Sequence, residues 1–174
     1  MHEAFNRLLF CRLAGLALGV GLFYAVSWMP LRIAVRDAAA SCLQTVGMRV
    51  DVTAFEGSPA LRVAGKQFHF TPDCTYIDLV LILIPFLWRV EASPGRNLVC
   101  LAAFTAVVQL VNLVRAWFSI WFSSHGGSWF LAHDLPDYLL YYPTLVIVIL
   151  WALRRDRQWA DQPTTSAALA PATE

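Results

Sequence analysis

The sequence predicts an all-α integral membrane helical bundle of about four transmembrane helices, with an interfacial amphipathic helix and a small β-hairpin on its outer face. Three observations predict it. Hydrophobic residues make up 58% of the 174 and charged residues 14%, with a mean hydropathy of +0.56, too little polar surface to clothe a soluble globule of this size. Residues 8–29, 98–118 and 135–153 approach the roughly 20 apolar residues that a spanning helix needs. The basic residues also show a sidedness that four crossings reproduce and three do not.

The first span, 8–29, contains Ala25-Val26-Ser27, a small-x-small pattern of the kind that follows a cleaved signal peptide. Arg12 lies too far into the apolar run for a tidy n-region and h-region, so the expectation is a retained anchor. The second span, 75–89, opens TYIDLVLILIPFLW. At about 1.5 Å per residue these fourteen cover about two thirds of a hydrocarbon core of roughly 30 Å, so the flanks must help it across.

With four spans, both termini and the 89–97 loop share one side. Arg7, Arg12, Arg89, Arg96, Arg154, Arg155 and Arg157 lie near the helix ends there, which marks that side as cytoplasmic. The 119–134 loop on the other side holds no Lys or Arg, and the long 30–73 segment offsets five basic residues with four acidic ones. The expected location is a cell inner membrane crossed several times, with the lipid bilayer as the immediate partner. The net charge of +1 and the absence of a basic patch interleaved with aromatics argue against nucleic acid.

Between the first two spans, Leu31, Val35, Ala38, Cys42 and Val46 recur at helical spacing, the pattern of an amphipathic helix lying on the membrane. Residues 49–55 and 61–70 read as two strands joined by turn chemistry at Glu56-Gly57-Ser58-Pro59. Residues 1–161 are expected to form one membrane domain, and 162–174, low in apolar content, a disordered cytoplasmic tail.

Threading brings three polar residues to one end of this bundle. Cys74 immediately precedes the second span, Arg115 lies about one turn inside the outer end of the third, and His133 sits just before the fourth. A central Arg in a spanning helix costs about 2.5 to 3.5 kcal/mol on insertion scales and calls for a partner or a polar cavity; the bland reading is snorkelling to the nearby interface. Asn112, three residues earlier, shares its helical face. Cys74 is open to three readings: a small core hydrophobe, a disulfide partner of Cys42, or a nucleophile whose thiolate is favoured by Arg and His. His133 is preferred over His125 because Asp134 and Asp137 flank it and can orient an imidazole, whereas His125 adjoins two glycines. Asp78 is a further charge in a span, with Arg115 as its candidate partner. The four cysteines show no C-x-x-C spacing, and neither a metal nor a cofactor is expected.

Cys74-Thr75 at a span start, Asn112-x-x-Arg115 at a span end and His133-Asp134 ahead of a final span resemble, in that order, the exosortase/archaeosortase family of membrane cysteine transpeptidases. The likeness covers residues 47–153. It implies Cys74 as nucleophile, His133 as general acid and base, and Arg115 as oxyanion stabiliser, supported by Asn112, Asp134 and Thr75. The implied partner is a C-terminal sorting signal made of a short motif, a transmembrane helix and an Arg-rich tail. Tyr76 and Asp137 depart from the pattern, because the family carries glycine after the cysteine pair and again after the histidine. A non-enzymatic scaffold that kept the fold, or a small transporter using Arg115 and Asp78, are the rival readings.

Overall fold

The computed structural model describes residues 2–160, with side chains over residues 5–158, so the 162–174 tail lies outside the described residues. Helix α1 (His2–Ala25) leads to α2 (Met29–Thr45), then to strands β1 (Val50–Phe55), β2 (Ser58–Val63) and β3 (Lys66–His69). A 3-10 turn, Pro72–Thr75, precedes α3 (Ile77–Leu87); α4 (Pro94–Ser124) and α5 (Tyr142–Ala160) complete the chain. Three helices, Phe5–Ala25, Pro94–Ser124 and Phe130–Gln158, are long and apolar enough to cross a membrane. They expose large apolar side chains such as Leu18, Leu110 and Ile147, each more than 60% accessible, a surface suited to lipid rather than water.

The stretch expected to form the short second span holds α3, an apolar helix only 11 residues long and below the length that crosses a membrane unaided. Its far end is closed by charge. Arg12 donates to the carbonyls of Pro85 and Trp88 and pairs with the buried carboxylate of Asp156, and Arg155 donates to the carbonyl of Phe86 at 3.2 Å. The basic residue that sat awkwardly inside the first apolar run thus satisfies orphan carbonyls at the C-terminus of α3. Along its length α3 lies against α1, where a Cβ at Gly19 would stand 2.7 Å from the Leu81 carbonyl oxygen and one at Gly15 2.9 Å from Pro85 Cβ. Small residues four apart let the two backbones touch, as in G-x-x-x-G helix pairs.

The expected hairpin is a three-stranded antiparallel meander, ordered β1-β2-β3. The run predicted as one strand over 61–70 folds back at Ala64-Gly65, where φ is 49° and 77°, just as the chain turns at Glu56-Gly57 with φ 48° and 76°. Both are two-residue turns with positive φ at each centre, which match the twist of paired strands. Pro59 belongs to β2, opposite Ala54, rather than to the turn.

Helix α2 occupies the expected stretch but buries a different face: Arg32, Val35, Ala39, Ala40 and Leu43, with Val46 half exposed. It packs on α4, β1 and β2, and the core joins Val35, Ala39 and Leu43 to Leu61, Val63, Phe68, Phe70 and Ile120. The face is rotated because Arg32, which a hydrophobic count leaves outside, finds a buried partner: its Nε donates to the Phe70 carbonyl at 2.7 Å. That bond fixes the exit of the meander just ahead of Cys74.

Candidate active site

Cys74, Arg115 and His133 line one narrow cleft, together with Phe68, His69, Phe70 and Trp129. Cys74 is half-buried in the 3-10 turn, its N–H donating to the Thr71 carbonyl at 3.1 Å. Thr75 is fully buried and structural: its hydroxyl donates to the Pro72 carbonyl at 2.6 Å and tightens the same turn. Helix α4 holds the turn from outside. Asn112 Nδ2 donates to the Cys74 carbonyl and Gln109 Nε2 to the Thr75 carbonyl, both at 2.8 Å.

Around the sulfur, Thr71 Oγ1 lies at 3.4 Å and the His69 carbonyl at 3.8 Å. Burial pushes the thiol pKa up. The nearby His133 side chain, then Thr71, more than offsets this, and the Cys74 pKa falls below that of an ordinary thiol. The directional contacts of Sγ in the resting geometry are those to Thr71 and His69, so the imidazole acts on the sulfur from across the cleft.

His133 Nδ1 donates to Asp134 Oδ1 at 2.9 Å, which leaves Nε2 for the cleft. Its ring stacks on Trp129, with centroids 4.4 Å apart and planes 18° from parallel, and Trp129 stacks on Phe68 of β3 at 5.6 Å. The imidazole is thus gripped at its edge by a carboxylate and at its face by an aromatic pair that reaches into the meander. His133 itself lies in a helical turn widened to i+5 bonding over Phe130–Asp134, and a second such turn spans Asp137–Tyr141, on either side of Pro136. Proline has no N–H to continue an ordinary ladder.

The Arg115 side chain is 4% exposed, so snorkelling does not describe it. Nη1 donates to Asp137 Oδ1 at 2.5 Å and Nη2 to Asn112 Oδ1 at 3.2 Å, while Nε has no partner among the described residues. The guanidinium carbon lies 4.3 Å from the centre of the Tyr76 ring. Asp137 therefore serves Arg115, and of the two flanking carboxylates only Asp134 serves His133. Asp78, for which Arg115 was a candidate partner, instead accepts from the Tyr141 hydroxyl.

All four cysteines are free; Cys42 is not joined to Cys74. His125 turns away to the Trp121 carbonyl at 2.7 Å. No family model, curated protein or solved structure matches the chain. The site therefore stands on its own geometry. Trp129 and Phe68 are not singled out by the sequence, because their contact joins a strand to the start of a helical turn 61 positions on, which no local periodicity signals.

Proposed function

We propose that the chain is a membrane-embedded cysteine protease or transpeptidase of the exosortase type, cleaving a C-terminal sorting signal of exported proteins and passing the acyl group to an acceptor. The observation that carries this reading is the single cleft walled by a pKa-lowered thiol, an oriented imidazole and a buried guanidinium. The backbone at Tyr76 adds support. Its φ of 52° is left-handed, a conformation costing a non-glycine residue roughly 1–2 kcal/mol, and it falls where the family carries glycine.

In this reading the Cys74 thiolate attacks the scissile carbonyl, and the C–N bond breaks to leave a thioester. The leaving amine takes its proton from His133 Nε2 and departs with the signal's helix and basic tail. An acceptor amine, deprotonated by His133, then attacks the thioester and releases the thiolate; water in its place gives hydrolysis. Arg115 stabilises the oxyanion in both steps. Asn112 contributes by position, since its amide is committed to the Cys74 carbonyl and to Arg115.

The bilayer placement belongs to the same proposal. Helix α3 is the short second of four spans, closed at one end by Arg12 and Arg155, and α2 lies at the outer interface. Both termini face the cytoplasm of a cell inner membrane, and Cys74 faces the periplasm or exterior.

A non-enzymatic scaffold is favoured by one observation, the Arg115–Asp137 ion pair, which accounts for a buried arginine without chemistry. Membrane-impermeant maleimide applied to intact spheroplasts separates the readings. An enzyme requires Cys74 to label far faster than Cys42, whereas equal or slower labelling of Cys74 favours the scaffold.

A further inference from the structure

Tyr76 and Asp137, the two departures from the exosortase pattern, touch each other. The Tyr76 hydroxyl donates to Asp137 Oδ1, the same oxygen that receives Arg115 Nη1, and the Tyr76 ring covers the guanidinium face. The two residues are 61 positions apart in sequence and reach Arg115 from different places, the left-handed turn residue that caps α3 and the widened turn before α5. Each alone would be an odd choice in an apolar helix end. Without Asp137 the phenol would lack its acceptor, and without Arg115 the carboxylate would lack its counter-charge.

We infer that Tyr76 and Asp137 are positioning residues that act as one clamp on Arg115, fixing its guanidinium at the cleft wall and balancing its charge until negative charge develops on a substrate. The inference deepens the transpeptidase reading and rests on it for what Arg115 stabilises. The clamp itself is testable without any substrate. With Nη1 and Nη2 held by Asp137 and Asn112 and the ring face covered, the side chain has no freedom to leave the cleft. Donors fixed before reaction need no reorganisation when the oxyanion forms.

The test compares alkylation of Cys74 by iodoacetate and by iodoacetamide on the purified full-length protein in detergent, read on the Cys74 peptide by mass spectrometry. The anionic reagent senses the charge beside the thiol, and the neutral reagent corrects for the thiol's own reactivity. Asp137→Asn uncovers the arginine's charge and should raise the iodoacetate-to-iodoacetamide rate ratio about 3- to 10-fold. Arg115→Gln added to that variant should return the ratio to the parent's value or below. Tyr76→Phe keeps the ring and loses only the hydroxyl. It should change the ratio about twofold in the parent and not at all in the Asp137→Asn background, because the hydroxyl acts through Asp137.

On a processed substrate, Asp137→Asn should lower kcat about 10- to 100-fold with little change in KM. An unchanged ratio in both Asp137→Asn and Tyr76→Phe, or a rise in Asp137→Asn that survives removal of Arg115, overturns the clamp. A parent protein that processes no sorting signal while the ratio behaves as described contradicts the transpeptidase reading and leaves the clamp standing.

Discussion

Asn112 Nδ2 donates to the main-chain carbonyl of Cys74 at 2.8 Å, while its Oδ1 accepts from Arg115 Nη2 at 3.2 Å. One fully buried amide therefore sets the distance between the thiol's backbone and the guanidinium. Asn112→Ala should cost about 1–3 kcal/mol of stability from the groups left unpaired. Processing should fall about 10- to 100-fold as the turn and Arg115 lose their common anchor. Asn112→Asp, which keeps the acceptor and loses the donor, should leave Arg115 in place and still impair Cys74. Thermal unfolding and single-turnover rates on the same preparations check both.

The lowered thiol pKa predicts a pH profile. Burial opposes ionisation, and the influence of the His133 side chain across the cleft and of Thr71 at the sulfur overcomes it, so thiolate persists to lower pH in the folded protein than in a free cysteine. Alkylation of Cys74 by iodoacetamide should reach half its maximal rate at a lower pH than that of a free cysteine in an unstructured peptide. Thr71→Ala should move the Cys74 midpoint up, and His133→Ala should move it further. A Cys74 midpoint coincident with that of the peptide cysteine would remove the case for an activated thiol.

The close approach of α1 and α3 gives a packing prediction. Any side chain at Gly19 meets the Leu81 backbone within 2.7 Å, whereas a Cβ at Gly21 meets nothing within 4 Å. Gly19→Leu should destabilise by at least about 1–3 kcal/mol through overpacking against an atom that cannot rotate away. Gly21→Ala should be neutral or stabilising by up to about 1 kcal/mol, the usual helical preference for alanine. Thermal melts in detergent distinguish the two.

The bilayer placement is checked by reporter fusions. A reporter joined after Arg157 should report the cytoplasm, and one inserted within residues 123–128 the opposite side. The same side for both would contradict four spans.

Cys74, Arg115 and His133 were legible because their order along the chain and their depth in apolar runs depend on threading alone, and the cleft holds all three. The partners were less so. Asp137 stands four residues after His133, one ordinary helical turn, yet the i+5 turns around Pro136 separate their tasks, and the carboxylate pairs with Arg115 across the bundle. The α2 face was misread at Arg32 because a hydrophobic stripe has no place for a cation that caps a distant carbonyl. The third strand was missed because Ala64 adopts a positive φ that its residue type does not advertise.

Removing the Cys74 thiol tests the central claim most directly. Cells co-express the protein with an exported substrate that ends in a short motif, a transmembrane helix and an Arg cluster, and the cleaved form is quantified by immunoblot and mass spectrometry. Cys74→Ala, inserted at the parent's level, should abolish processing, and Cys74→Ser should nearly do so because an alkoxide forms far less readily than a thiolate. Cys42→Ala and His125→Ala should process the substrate almost normally. Continued conversion by Cys74→Ala would contradict the account.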